Sequence, residues 1–263
     1  MTTAETNAPD LWQDVLPVPS LNGNKYHRGF VAIYGAPVLT GATRLAAQAC
    51  NRIGAGLVSV VAEENADLFR TSLAADIMVT RELPAKATVA LGGSGGISTA
   101  HLQELLSNRH LKARLFDADA LTQDMAMGQL DAETILTPHR GEFERVFGAV
   151  GDDPEVAALK AAEHSGAIVV LKAPHTVIAA PHGRLVVNRH ASPYLAKAGT
   201  GDVLAGLIAG LVAQGMPHFL AACAGVWMHG EAAIRFGPGL IASDIPDMMP
   251  SLLRDLLPAA SGT

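Results

Sequence analysis

From Arg28-Gly29 onward, short apolar β-rich runs alternate with helical stretches, and nothing else in the chain constrains its fold as much. Strands are predicted at 30–34, 57–61, 77–80, 88–91, 114–117, 134–136 and 168–172, with helices near 41–53, 66–73, 99–107 and 154–165. The strand runs are mostly apolar rather than strictly alternating, the pattern of strands covered on both faces. Such strand–helix alternation predicts an α/β fold, a mainly parallel sheet between two helical layers. Two later segments break the rhythm. Residues 176–188 (TVIAAPHGRLVVN) read as two strands around a Pro-His-Gly turn, an added antiparallel hairpin. Two very apolar helices follow at 202–214 and 219–235, where Gly206, Gly210, Ala221, Ala222 and Gly225 allow close packing. The tail, 244–257, opens on a capping Asp244 and carries Pro250 where a second short helix could start.

At roughly 150 residues per domain, this length allows one large domain or two small ones. No repeat or linker divides the chain, so one domain is expected over 25–263, preceded by a loosely packed, proline-bearing arm over 1–24. Hydrophobic residues at 49% and charged residues at 17% exclude a disordered chain or a coiled coil. A net charge of -6 gives no footprint for nucleic acid or an anionic membrane. The longest apolar run, 203–213, is too short to span a bilayer, and the polar, acidic start lacks the regions of a signal peptide. Cys50 and Cys223 lie in apolar stretches and read as buried free thiols of a cytoplasmic protein. The ten histidines are scattered without metal-ligand spacing, so no protein-held metal is expected. A serine-hydrolase elbow is matched only by Gly92-Gly93-Ser94-Gly95-Gly96, through glycine excess rather than pattern.

The segment richest in chemistry is Lys197-Ala198-Gly199-Thr200-Gly201-Asp202, which feeds directly into an apolar helix. A glycine-rich turn at a helix N-terminus aims backbone N–H groups and the positive end of the dipole at an anion. Asp202 stands at that terminus as a candidate base; the same residues also fit an ordinary glycine turn with an N-capping aspartate. Lys172-Ala173-Pro174-His175-Thr176, at a predicted strand end, offers a cation for phosphate, or a lysine that ends a strand before the hairpin. Thr137-Pro138-His139 follows another strand, and His139 could be a ligand-facing donor or a solvated loop histidine. Asp117 and Asp119, two apart in extended chain, would point to one side as a magnesium-water or acid/base pair; alternatively they bond backbone. The turns at Thr40-Gly41-Ala42 and Gly92–Gly96 also follow strands. All of them fall at the carboxyl ends of strands, where open α/β sheets bind ligands.

Together these residues resemble the NAD(P)H-hydrate dehydratase family of the ribokinase-like superfamily, over 25–257. The landmarks are His27-Arg28-Gly29, Thr40-Gly41-Ala42, Gly54-Ala55-Gly56, Asp117-Ala118-Asp119-Ala120-Leu121, Thr137-Pro138-His139, Lys172–Thr176, Gly199-Thr200-Gly201-Asp202, His229-Gly230 and Ala242-Ser243-Asp244. The resemblance implies a three-layer αβα fold and an enzyme that repairs hydrated NADH or NADPH. The nucleotide, ADP in bacterial members and ATP in animal and yeast ones, would phosphorylate the ring hydroxyl, and phosphate would then leave. By position, Asp202 would be the base and would touch the hydrate. Lys172, Ala173, Pro174, His175 and Thr176, with Gly199, Thr200 and Gly201, would hold the nucleotide. Ala42, Gly96 and His139 would line the hydrate site. Mg2+ would arrive on the nucleotide phosphates, and a homotetramer is implied. With some two dozen residues ahead of the resemblance, no epimerase domain is expected, nor interconversion of the hydrate epimers.

Three positions depart from the family pattern. Ala173 replaces a glycine, Ala191-Ser192-Pro193-Tyr194-Leu195-Ala196 replaces a loop with two glycines, and Gly92–Gly96 keeps only the outer glycines of its turn. Two other functions use the same parts. A small-molecule kinase of this fold, acting on a hydroxyethylthiazole or a sugar alcohol, would release a stable phosphate ester. A non-catalytic nucleotide-binding regulator would need no base at Asp202.

Overall fold

A computed structural model describes residues 4–93, 95–122 and 130–257. In chain order its strands are β1 (Glu5–Thr6), β2 (Phe30–Tyr34), β3 (Leu57–Val61), β4 (Met78–Thr80), β5 (Val89–Gly92), β6 (Ala113–Phe116), β7 (Thr134–Leu136), β8 (Ile168–Leu171), β9 (Thr176–Ala179) and β10 (Leu185–Asn188). The helices are α1 (Thr40–Arg52), α2 (Ala66–Ser72), α3 (Thr99–Ser107), α4 (Arg140–Phe147), α5 (Pro154–Ser165), α6 (Thr200–Ala213), α7 (His218–Phe236) and α8 (Asp244–Leu256). The strands form one sheet in the order β1-β10-β9-β8-β7-β6-β5-β2-β3-β4. From β8 through β4 neighbouring strands run parallel, whereas β9 is antiparallel to both β8 and β10.

Both faces of the sheet are covered, as the apolar strand runs require. In β2 all five residues are buried. Val31 and Ile33 enter the core under α1, α2, α6, α7 and α8, while Phe30, Ala32 and Tyr34 enter the core under α3, α4 and α5. Burying each side chain of this size contributes roughly 1.5–3 kcal/mol, so the register of the central strands is fixed by both layers at once. The first layer is unusually close. A methyl group at Gly206 of α6 would lie 2.2 Å from the carbonyl oxygen of Ala46 in α1, so only glycine lets the two helices meet there.

The predicted elements match the observed ones within one or two residues, and 176–188 is a hairpin, with Gly183 at φ +87° in its turn. Three expectations fail. The arm is not loose over its first part: β1 pairs with β10 and Trp12 is 1% exposed. Asn7 is the reason, donating to Asn188 Oδ1 at 2.9 Å and the Cys223 carbonyl at 2.8 Å while accepting from Trp12 Nε1 at 3.2 Å. The tail holds one helix rather than a second one starting at Pro250, which lies inside α8. Proline forfeits one intrahelical hydrogen bond, but burial of Ile245, Met249, Leu252 and Leu256 along one stripe keeps the helix continuous. In addition, Asp244 is the first helical residue after Ser243 at the N-cap, and its carboxylate accepts from Ile241 N–H at 2.8 Å.

Candidate active site

α6 begins where the sequence places an anion site. Gly199, at φ +90°, ends the preceding turn, and a methyl group there would lie 2.6 Å from Leu45 Cδ1. The first N–H groups of the helix have no intrahelical acceptor, and Asp202 stands in that first turn. The Thr200 hydroxyl lies 2.8 Å from the Leu195 carbonyl oxygen and 2.9 Å from that of Lys197, donating to one at a time. Thus the divergent loop 191–196, folded as a 3-10 turn over Pro193–Leu195, supplies a carbonyl that anchors the helix start. His229 of α7 holds the same residue from below, its Nε2–H donating to the Thr200 carbonyl at 2.9 Å. Burial drives the His229 pKa down to about 4, so the ring is neutral at pH 7.

Lys172, at the end of β8, reaches this turn. A methyl group added at Gly201 would sit 3.3 Å from Lys172 Nζ. The ammonium donates to Asp117 Oδ1 at 2.6 Å and lies 3.8 Å from Glu142 Oε2. Asp117 is 2% exposed and also accepts from the Thr137 hydroxyl at 2.8 Å, whereas Lys172 keeps 19% of its side chain exposed. The lysine is therefore aimed by a buried carboxylate and open on its outer side. Asp202, Asp117, Ala42, Thr43 and Gly93 line one cleft with about 10 Å3 of free space. That is room for one water or hydroxyl, so it forms the floor of a site rather than its whole volume. Gly96 lies beside Pro37, in the loop leading to α1 and Ala42. Half-buried Ala173 and exposed Pro174 and His175 form the turn from Lys172 into Thr176 of β9.

Two pieces of geometry differ from the sequence reading. Asp117 and Asp119 do not act as a pair, because Ala118 between them takes φ +48° and turns the chain. Asp119 instead accepts from Gly95 N–H at 2.9 Å and Gly96 N–H at 3.1 Å, bonding backbone as the alternative held. His139 is 59% exposed but is not a free donor. Its Nδ1 accepts from Glu142 N–H at 3.1 Å, and its Nε2 lies 3.1 Å from Glu142 Oε1. Glu142 in turn accepts from His139 N–H at 2.7 Å, closing a capping box at the start of α4. Ser94, the elbow serine, lies outside the described residues. Among those described, no group of three or more His, Cys, Asp or Glu side chains could hold a metal, and no helix is long and apolar enough to cross a membrane.

Residues 30–250 match the family model for NAD(P)H-hydrate dehydratase. The chain belongs to that family. Across 82% of each chain it is 35% identical to the ADP-dependent (S)-NAD(P)H-hydrate dehydratase of Neisseria meningitidis serogroup B. It superposes with a TM-score of 0.86 at 25% identity on the ADP/ATP-dependent NAD(P)H-hydrate dehydratase of Bacillus subtilis, co-crystallised with ATP/Mg2+, covering 97% of this chain and 100% of that one. A ribokinase-like superfamily protein of Enterococcus faecalis, at TM-score 0.83, 22% identity and coverage of 97% and 96%, shows the same fold. The chain spans about half the length of the bifunctional NAD(P)H-hydrate repair enzymes it also matches. The sequence points to Asp202 and Lys172 but not to the parts that Thr137 and Glu142 play around them. Their positions inside the Thr137–Glu142 segment were the available signal; their partners, Asp117 and Lys172, are distant in the chain.

Proposed function

We propose that this chain is an ADP-dependent NAD(P)H-hydrate dehydratase, with ATP as the alternative co-substrate. The convergence of Asp202 and Lys172 on the first turn of α6 supports this reading most directly. Asp202 takes the proton of the ring hydroxyl as that oxygen attacks the terminal phosphorus of the nucleotide. The phosphorus–oxygen bond to the departing nucleotide breaks, and its charge develops beside the α6 amides and the Lys172 ammonium. The phosphate ester then leaves as inorganic phosphate, and loss of a neighbouring ring proton restores the dihydropyridine. In this reading Lys172, Ala173, Pro174, His175, Thr176, Gly199, Thr200 and Gly201 hold the nucleotide, and Ala42, Gly96 and His139 line the hydrate. His139 would reach the hydrate by exchanging its Nε2 contact with Glu142. Mg2+ would travel with the nucleotide phosphates and supply charge neutralisation there. Asp117 and Glu142, already turned toward Lys172, are the carboxylates on that side. A cytoplasmic homotetramer completes the proposal.

Incubation with hydrated NADH, magnesium and either ADP or ATP tests it. Dihydropyridine absorbance should return with release of inorganic phosphate. A stable phosphate ester would point to a kinase of the same fold, and no turnover with either nucleotide would remove the proposal.

A further inference from the structure

At the opposite end of the strands, ahead of β2 and β3, lies a second cavity, of about 510 Å3, unconnected with the reaction described above. Its walls are the loop ahead of β2, the turn between α1 and β3, and Gln214 at the end of α6. The length of α6, about 20 Å at 1.5 Å per residue, separates it from the Asp202 turn. The cavity has the volume of sites that hold small metabolites.

Its lining is cationic in a chain whose net charge is -6. Lys25 and Arg28 supply the charge, His27 lies beside them, and no carboxylate is among the lining residues. None of the three forms an ion pair with a described carboxylate. Arg28 Nε is buried and has no hydrogen-bond partner among the described residues, so no protein acceptor holds the guanidinium at that atom. His27 Nδ1 accepts from Asn24 N–H at 3.2 Å, which leaves Nε2 as the donor of the neutral ring. The wall is built to bring these groups in. A methyl group at Gly54 would lie 2.7 Å from Arg28 Nη2, and one at Gly56 would lie 1.9 Å from the Lys25 carbonyl oxygen. Val18, flanked by Pro17 and Pro19, adds an apolar side to the same cavity.

We infer that this cavity binds a small organic anion, its phosphate or carboxylate against Arg28 and Lys25 and its less polar body against Val18. Two probes separate the two anion chemistries: citrate and glycerol 3-phosphate, each titrated calorimetrically into the full-length chain without magnesium. At least one should bind with a Kd below about 1 mM. Lys25→Met and Arg28→Met should each weaken it roughly ten- to hundredfold, the loss expected for one charged hydrogen bond. Lys25 is exposed, so its variant keeps the fold even if Arg28→Met does not. Lys172→Met, at the far end of α6, should leave probe affinity unchanged. Absence of binding by both probes would overturn the inference, as would loss of binding in Lys172→Met but not in Lys25→Met. It would also fall if Val18→Ser dissociated an oligomer and only then admitted a probe, because a second copy would then be the occupant.

Discussion

Two polar clusters tie together segments far apart in the chain, one around Asn7 and one around the first turn of α6. The Asn7 cluster is neutral and sealed: Asn7, Trp12 and Asn188 are all buried, and the Asn7 amide is used from both its nitrogen and its oxygen. The α6 cluster is charged and left open on one side. Asp117 and Glu142 are buried, but Lys172 and Asp202 are only partly so, and His139 is exposed. A neutral network with its donors and acceptors matched gives rigidity. Charges held in position at an open helix terminus are instead available to a ligand. The first arrangement holds the fold together, and the second holds a lysine where a phosphate would meet it.

Substitutions should split along that line. Asp202→Asn keeps size but removes the base, and removing a positioned proton acceptor costs about 10²–10⁴ in rate. Nucleotide affinity should hold or rise, and the stability lost should stay within about 1 kcal/mol, since Gly199 rather than Asp202 is the N-cap and only a first-turn carboxylate is removed. Near-normal turnover would leave Asp202 as a first-turn carboxylate with no part in the chemistry. Asn7→Ala should do the reverse. It strands the Asn188, Cys223 and Trp12 groups, at a total of roughly 3 kcal/mol of stability. Turnover measured well below the lowered melting temperature should stay normal; a change in kcat would mean the arm reaches the catalytic edge.

Lys172→Ala tests the open cluster from its cationic side. A lost charged hydrogen bond is worth about 1.5–3 kcal/mol, or roughly ten- to hundredfold in nucleotide affinity. The Michaelis constant for the hydrate should change less than that for the nucleotide. If only the hydrate's constant moved, the lysine would belong to the wrong half of the site. This variant also leaves Asp117 buried beside Thr137 without its cation, so some stability should be lost along with affinity.

The two clusters were not equally legible in the sequence. The α6 turn announces itself because its chemistry needs unusual residues in a short run: glycines for the turn and close approach, then a carboxylate at a helix start. Strand and helix positions were legible for a related reason, since burial on both faces writes apolar runs directly into the chain. Asn7 gave no such signal. Its role depends on Asn188 and Cys223, 181 and 216 residues away, and an asparagine in a proline-bearing stretch otherwise reads as loop. The pairing of Asp117 with Asp119 failed for a local reason. Two-residue spacing puts side chains on one face only in extended chain, and Ala118 leaves the extended region. Pro250 misled because a breaker rule is weaker than the burial of four apolar side chains in α8.

The smallest predicted effect concerns His229, which belongs to the charged cluster by position and to the sealed kind by burial. Burial, helped by the Lys172 charge and opposed by the bond to Thr200, lowers its pKa from an ordinary value near 6.5 to about 4. Between those values the unfolded chain binds a proton that the folded chain refuses. Its contribution to stability is therefore complete above about pH 6.5 and is lost as pH falls toward 4. From pH 7 to pH 5 this amounts to about 1–2 kcal/mol. His229→Gln can still donate to the Thr200 carbonyl but has nothing to titrate. Denaturant unfolding of both proteins at pH 7 and pH 5 should show the wild type losing more stability than the variant by that margin. Parallel losses would mean that water already solvates the protonated ring, and that the start of α6 is as open beneath as it is above.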